Sequence, residues 1–528
     1  MASNISLARS VLQLLAGQGV REIVLCAGAR NSPLVCLLEQ ANNIKIHFFF
    51  EERSAGFFAL GRILSQRAPV AVVTTSGTAA AELLPATIEA HYSGLPLIAV
   101  TADRPRIYRG TGAPQAIEQV DLLRTFTETV LDIDLTSETP TLAGWSQQRP
   151  VHLNVCFDEP LLDEPLMPWD WQYLNSPSYH SHEMNLIQQQ AMRDFLSRVK
   201  KPLVILSSLS VQEKQQVYEF LLRWRLPVYA EATSGLREQP SIQSFSLHSG
   251  EEGVSRLLSQ GTFDGIIRIG GVPTLRGWRD LEKKFLLIPV LNISGLGFSG
   301  LAREKQSAIA LSEGLSFLHE YARFPSANEG WKNWDLEKST QLQNLLQAYP
   351  LAEPSLIRDL SQLISINSTL YIGNSLPIRE WDLAASREYS HKVFANRGAN
   401  GIDGQISTFL GLAVPDQQNW GLFGDLTTLY DLSGPWALRQ LVNTRVQMVV
   451  INNRGGQIFS RLFKSAQVRN EHDLDFSHWA KMWRLEYLTW DSIPDNYTGN
   501  ESTVIELRPD PLSTAHFWRE YDLLWKIP

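Results

Sequence analysis

Asp425 closes the apolar run NWGLFG, and Asn452 and Asn453 close the next one, VQMVVI. A glycine pair, Gly455 and Gly456, follows one residue later. The stretch between the runs, LYDLSGPWALRQLV, reads as helical apart from Pro435, so the unit is strand, helix, strand with a parallel crossover. Parallel neighbours lie ~4.8 Å apart, which delivers both side chains to one spot. A carboxylate, an amide oxygen and a turn carbonyl make a hard, all-oxygen site of low charge. Such a set suits Mg²⁺ and leaves coordination positions for the phosphates of a ligand. The expectation is a diphosphate bridged to the protein by a divalent cation.

A second chemical signal is IHFFFEERSAG, which sets Glu51 and Glu52 at the end of an apolar strand. Successive strand residues point to opposite faces, so only one of the two acids can meet a ligand. A carboxyl buried beside an apolar ring would have its pKa raised. Four arginines also sit just past strands or in glycine-rich loops. They are Arg30 in AGARNSPL, Arg276 in GGVPTLRGW, Arg379 in GNSLPIRE and Arg397 in ANRGANGIDG. Arginine recognises carboxylates through two parallel hydrogen bonds. Gln115, in the loop GAPQAI, is a neutral donor. The run TTSGTAAAELLPA passes from strand to helix through small polar residues, whose free N–H groups suit an anion or a polar ring.

These residues need a scaffold of strand ends. Short β-branched runs alternate with helical stretches along all 528 residues: REIVLCAG, APVAVVTTSG and PLIAVTA; KPLVILSS, GIIRIGG and FLLIPVLNIS; TLYIGNS, NWGLFGD and VQMVVINN. The pattern predicts α/β architecture with three doubly wound parallel-sheet domains, covered on both faces. Ligands then bind outside the carboxyl ends of the strands. The aperiodic stretch DEPLLDEPLMPWDWQYLNSPSYHSHEMN reads as a linker, and ARFPSANEGWKNWDLE as a second break. The expected domains are 1–180, 181–335 and 336–528, with no sequence repeat. SGLGFSG spells G-x-G-x-x-G from Gly295 to Gly300. No convincing helix start follows, so dinucleotide binding is not the favoured reading.

Composition narrows the rest. A net charge of −8 and no long Lys or Arg run exclude a nucleic-acid stripe. Cys26, Cys36 and Cys156 lack metal spacing and read as thiols of a reducing compartment. No segment reaches the ~18 apolar residues of a membrane span. The first twenty residues read as an amphipathic helix rather than a secretory leader. A cytoplasmic protein is expected.

Gly-Asp followed at a distance by Asn-Asn resembles the thiamine-diphosphate fingerprint. Its usual third residue is Gly, whereas Leu426 stands here. GDLTTLYDL with NNRGGQIFS, and also AGARNSPL, FEERSAGFFALG, TSGTAAAELLPA, TADRP, GAPQAI, YIGNSLPIREWD and ANRGANGIDG, resemble the 2-succinyl-5-enolpyruvyl-6-hydroxy-3-cyclohexene-1-carboxylate synthase family. The first and third domains carry the likeness and the middle one is loosely matched. The resemblance implies thiamine diphosphate with Mg²⁺ or Mn²⁺ held by Asp425, Asn453 and the Gly455 carbonyl. It implies a cofactor pocket of Glu52, Ser375, Ile402, Asp425, Leu426, Asn453, Gly455 and Ile458. Glu52 would be the catalytic carboxyl on the pyrimidine ring, favouring its imino tautomer, and Ile402 would prop the cofactor in a bent shape. Substrate contacts would be Arg30, Gln115, Arg276, Ser375, Arg379 and Arg397. The substrates would be 2-oxoglutarate and isochorismate, in menaquinone or phylloquinone biosynthesis. A homodimer or homotetramer with active sites at the subunit interface is also implied. The rivals are another thiamine-diphosphate decarboxylase or carboligase, and a non-catalytic paralogue. Leu426 and the arginines speak against the first, and intact Glu52, Asp425 and Asn453 against the second.

Overall fold

The computed structural model describes residues 3–174, 184–304, 309–324, 329–463 and 465–526. Within them the apolar runs form three parallel sheets. The first comprises β1 (Glu22–Cys26), β2 (Lys45–Phe49), β3 (Val70–Thr74), β4 (Leu97–Asp103), β5 (Thr129–Ile133) and β6 (Val151–Cys156), in the order β2-β1-β3-β4-β6-β5. The second comprises β7 (Pro202–Leu206), β8 (Val228–Ala230), β9 (Gly265–Ile269) and β10 (Val290–Ile293), in the order β8-β7-β9-β10. The third comprises β11 (Thr369–Ile372), β12 (Lys392–Phe394), β13 (Gln418–Gly424), β14 (Arg445–Ile451), β15 (Glu486–Trp490) and β16 (Thr503–Leu507), in the order β12-β11-β13-β14-β16-β15. The first and third sheets thus share one strand order, and the second repeats its first four places. The sequence holds no matching repeat. In each sheet the chain leaves the first strand for one side and returns on the other. This switch opens a crevice at the carboxyl ends of β1 and β3, of β7 and β9, and of β11 and β13. Burial explains the continuous apolar runs: β1, β3, β4, β6, β7, β9 and β16 are buried at every position, as strands with helices on both faces must be.

Contacts divide the chain into two compact units. One contains Met1–His180 with Gly398–Asp416 and Thr427–Arg445; the other contains Ser181–Arg397, Gln417–Leu426 and Val446–Pro528. The first unit is therefore built from segments far apart in sequence. Its helix Glu52–Gln66 crosses the helix Gln405–Leu412 backbone against backbone. A Cβ on Gly61 would overlap the Thr408 carbonyl oxygen and lie 2.8 Å from Gly411 Cα. In the second unit Asp382 Oδ1 accepts from Ala232 N at 2.7 Å, and buried Arg237 donates to Ala385 O at 2.8 Å. These bonds fix the loop after β8 to the helix Leu376–Ala384.

Three local expectations are corrected. The DEPLLDEP stretch is only in part a linker. Trp171 is 2% exposed and donates to Val20 O, and Trp169–Asp170 pairs with Ala41–Asn42; residues 175–183 lie outside the described residues. In the second break, residues 325–328 lie outside the described residues, and Gly330–Ala348 is helical. Its inward positions include Asp335, whose carboxylate accepts from His248 N and Ser249 N. A polar residue on the buried stripe hid the period. Between β13 and β14, an α-helix stops at Tyr430 and a 3₁₀ helix runs from Gly434 to Gln440. Ser-Gly-Pro breaks the helix, because Pro435 has no N–H and disfavours a helical residue before it. After Gly295–Gly300 comes a 3₁₀ turn at Ala302–Glu304; residues 305–308 lie outside the described residues.

Gly61→Ala would force apart two backbones that no rotamer change can relieve. We expect a cost on the order of 3 kcal/mol and a Tm lower by roughly 6–12 °C. A melting temperature within about 2 °C of the parent would mean that the two helices can separate.

Candidate functional site

In the first unit, the strand ends gather Glu52, Arg30 and Gln115. Glu51 and Glu52 are not separated by strand alternation. Glu51 is the N-cap of the helix Glu52–Gln66, and its carboxylate accepts from Arg53 N and Ser54 N, each at 3.0 Å. The hydroxyls of Ser54 and Ser433 also donate to it. Glu51 is thereby consumed by capping. Glu52 takes the first helical position and turns toward β3, where Thr74 Oγ1 donates to Oε1 at 3.5 Å. Burial raises its carboxyl above the ordinary glutamate value, and the nearby Glu51 charge adds to this.

The crevice between β1 and β3 lies alongside. A Cβ on Gly28 would stand 2.6 Å from Thr75 Cβ, so only glycine lets the two loops close on each other. Buried Gln119 fixes the next turn, accepting from Gly77 N at 3.0 Å and donating to Ala102 O at 2.9 Å. Gly77 has φ +81°, and a Cβ there would lie 3.1 Å from that of Gln115, which covers the turn. Arg30 is 8% exposed and donates to Phe157 O and Glu159 Oε1 at 3.1 and 3.3 Å. Ile402 is half-buried in a loop whose Gly398 and Ala399 amides donate to the two Glu89 oxygens at 2.8 and 2.7 Å.

The second unit gathers the remaining residues at the carboxyl ends of the third sheet. Ser375 follows β11 with φ 77° and caps the helix bearing Arg379, whose Nη1 donates to Ser375 O at 2.6 Å. Arg397, past β12, donates to Asn374 Oδ1 at 2.6 Å. Asp425 follows β13 as the first residue of the helix Asp425–Tyr430 and is 2% exposed. Its Oδ1 accepts from Leu426 N at 2.6 Å and its Oδ2 from Gly455 N at 2.8 Å. The turn after β14 tolerates Arg454 in the left-handed region, at φ 64°. Gly455 has φ +126°, and a Cβ there would lie 2.6 Å from Arg469 O. No other residue fits. Asn453 Nδ2 lies 3.1 and 2.9 Å from the two oxygens of Glu353.

A cavity of about 1300 Å³ opens here, lined by Arg276, Arg379, Asn453 and Ile458 among others. Arg276 reaches it from the second sheet. Buried Glu231 accepts from Leu275 N at 3.2 Å and from Ser207 Oγ at 2.7 Å, pinning the turn before Arg276. Burial pushes the Glu231 carboxyl up to about 8.

The donor set fits a hard divalent cation bridging a diphosphate. Asp425 supplies a carboxylate whose two oxygens each accept one backbone amide and keep further lone pairs. Asn453 has its NH₂ engaged, so its oxygen remains. The Gly455 carbonyl accepts Gln457 N at 2.8 Å and keeps a second lone pair.

Several cavity residues escaped the sequence reading. Arg279, Arg454, Glu353 and Glu380 line the cavity; Glu353 and Glu380 are 2% and 1% exposed. Burial raises both carboxyls, Glu353 to about 7. His472 sits with Nε2 3.3 Å from Asp425 Oδ2. The only sequence cue for Glu353 was an acid at the start of a proline-led helix, AEPSLI.

The folded chain holds the Glu52 proton more tightly than the unfolded chain does. Its contribution to stability is present at acid pH and is lost as pH rises through the raised value. Glu52→Gln keeps the shape without the charge. We expect it to match the parent Tm below the ordinary glutamate value of 4.5 and to exceed it at mildly alkaline pH. The gain is under about 1 kcal/mol, or ~2–4 °C, because Glu52 is partly solvated. Melting curves that run parallel across this range would show that Glu52 suffers no burial penalty.

Comparison with known proteins accords with this geometry. A family model described as "Thiamine pyrophosphate enzyme, N-terminal TPP binding domain" matches residues 5–122. A protein of Bdellovibrio bacteriovorus is 46% identical, covering 99% of this chain and all of its own length. One of Akkermansia muciniphila is 36% identical with 97% of each chain covered. One of Bacillus velezensis is 31% identical, covering 97% of this chain and 96% of its own. All three are named 2-succinyl-5-enolpyruvyl-6-hydroxy-3-cyclohexene-1-carboxylate synthase.

Proposed function

The chain belongs to the 2-succinyl-5-enolpyruvyl-6-hydroxy-3-cyclohexene-1-carboxylate synthase family, and from that premise we propose that it decarboxylates 2-oxoglutarate and adds the remaining four-carbon unit to isochorismate. CO₂ leaves and the enolpyruvyl group stays on the product, a precursor of menaquinone or phylloquinone. The observation that carries this reading is the end-to-end extent of the likeness, which takes in both groups of strand-end residues.

Thiamine diphosphate, when bound, supplies the carbanion-stabilising chemistry that both half-reactions need. Glu52 holds a proton at a ring nitrogen of the pyrimidine; its raised pKa supports a carboxyl that can carry one. Asp425, Asn453 and the Gly455 carbonyl would hold Mg²⁺ or Mn²⁺, and Leu426 and Ile458 would line the cofactor pocket beside them. Ile402 and Ser375 complete the cofactor's surroundings. Arg30, Arg276, Arg379, Arg397 and Gln115 bind the carboxylates and polar groups of the substrates. The shared cavity supports Arg276 and Arg379 most directly. A cytoplasmic location and an assembly of two or four copies sharing active sites complete the reading; among the described residues no helix is long and apolar enough to cross a membrane.

The test is a coupled assay with purified protein, thiamine diphosphate, Mg²⁺, 2-oxoglutarate and isochorismate. One CO₂ should appear per molecule of adduct, with no pyruvate released. Decarboxylation of pyruvate in preference to 2-oxoglutarate, or no consumption of isochorismate, would overturn the assignment.

The arginines separate by their surroundings. Arg276→Ala and Arg379→Ala each remove a charge-assisted contact worth ~1.5–3 kcal/mol. We expect kcat/KM to fall roughly 10- to 100-fold, with little change in Tm for Arg276→Ala. Arg30→Ala and Arg379→Ala should also lower Tm, because their guanidinium groups anchor Phe157 O and Ser375 O. Pre-steady-state kinetics with and without isochorismate assigns each arginine to one substrate. Losses below about threefold in both steps would return the arginines to solvated surface.

A further inference from the structure

The side chain that decides which end of Asn453 faces the cation lies outside every motif that points to the site. An asparagine amide has an oxygen and an NH₂ of nearly the same shape, so its partner alone sets its orientation. Here that partner is Glu353. Both carboxylate oxygens lie within hydrogen-bond distance of Asn453 Nδ2, at 3.1 and 2.9 Å. Turning the amide over would set Oδ1 against two acceptor oxygens in a site where Glu353 is 2% exposed. No water could relieve that clash, so the penalty is that of an unsatisfied buried group.

Glu353 is itself well fixed. It opens the helix Glu353–Leu363, where the positive end of the helix dipole favours an acceptor carboxyl. Its backbone N–H donates to Thr514 Oγ1 at 3.1 Å. On its other side stands Glu380, 1% exposed, on the helix that carries Arg379. Gln457 Nε2 donates to the Asn453 carbonyl at 3.1 Å, so the Asn453 backbone is held too. With chain and NH₂ both fixed, the amide oxygen is the group left to reach outward.

We propose that Glu353 is a positioning residue, which binds the Asn453 NH₂ and so presents the Asn453 amide oxygen to the cation that bridges the diphosphate. This rests on the cation-bridged reading of the site. Partners that orient a metal ligand from behind typically contribute ~10- to 100-fold in metal affinity.

The readout is cofactor binding rather than turnover. Quenching of the protein's tryptophan fluorescence (15 Trp in the chain) by thiamine diphosphate is followed while Mg²⁺ is titrated into the metal-free protein. Glu353→Met fills the same space without an acceptor, and should raise the Mg²⁺ concentration for half-binding ~10- to 100-fold. Glu353→Gln keeps one acceptor oxygen and should recover most of that loss. A purely structural Glu353 would lower Tm in both variants and leave the Mg²⁺ midpoint within about threefold of the parent, which overturns the proposal. If the parent binds the cofactor equally well without a divalent cation, the cation-bridged reading fails first and this inference falls with it. Should Glu353→Met not fold, Asn453→Asp and the double variant Asn453→Asp/Glu353→Gln carry the test. Gln at 353 can donate to Asp at 453, so the double variant should need less Mg²⁺ than Asn453→Asp alone. An equal or greater need overturns the proposal.

Discussion

A carboxylate taken out of water must be met by donors already in place, and Asp425 sets that condition for the whole second unit. Leaving such a group unsatisfied costs several kcal/mol. The donors are backbone amides, Leu426 on its own strand end and Gly455 on the neighbouring one. The second bond exists only if β13 and β14 lie side by side and the chain turns back at once after β14. That turn needs left-handed backbone at Arg454 and a residue with no Cβ at Gly455. One electrostatic requirement thus dictates strand adjacency, turn shape and residue identity together.

The parts of this arrangement legible in the sequence are those with a local cause. Continuous apolar runs ending in Gly, Ser, Asp or Asn marked the strands and the positions past them, because a covered parallel sheet permits little else. Glu51 and Glu52 differ for a reason the alternation argument did not contain. Strand alternation does not separate them; capping does, since Glu51 spends its carboxylate on the amides of Arg53 and Ser54. The helical reading of 429–442 failed at Ser433-Gly434-Pro435, where turn chemistry overrode an apolar period. Glu353, Glu380 and Asp335 were passed over because an acid within an amphipathic helix ordinarily faces solvent. These three are buried, and only long-range partners reveal it. The docking of 398–416 onto the helix Glu52–Gln66 left no local trace at all, since glycines that allow close approach look like glycines in any loop.

The repeated strand order has a similar explanation. Right-handed crossovers and coverage of both faces leave few ways to thread a parallel sheet, and neither depends on which apolar residue stands where. Three sheets can therefore agree in topology while sharing no sequence pattern. What distinguishes them is the residue past each switch: Gly28 and Thr75 in the first, Gly270 ahead of Arg276 in the second, Asp425 opposite Ser375 in the third. The cavity at the third sheet is lined by both signs of charge, Arg276, Arg379 and Arg454 beside Glu353, Glu380 and Asp382 among others, so any anion there is met by individual arginines and not by a uniformly positive field.

The crossing of Gly61 and Gly411 has a mechanical corollary. Most helix interfaces are cushioned by side chains that change rotamer under load, so a shift on one side is partly absorbed before it reaches the other. This interface has only main chain at the point of contact. The helix headed by Glu52 and the helix Gln405–Leu412 consequently keep a fixed gauge where they cross. Drift elsewhere in the core can alter volume and polarity, yet it cannot reset the spacing of the two helices at this crossing. There, one helix has no side chain to give way when the other shifts.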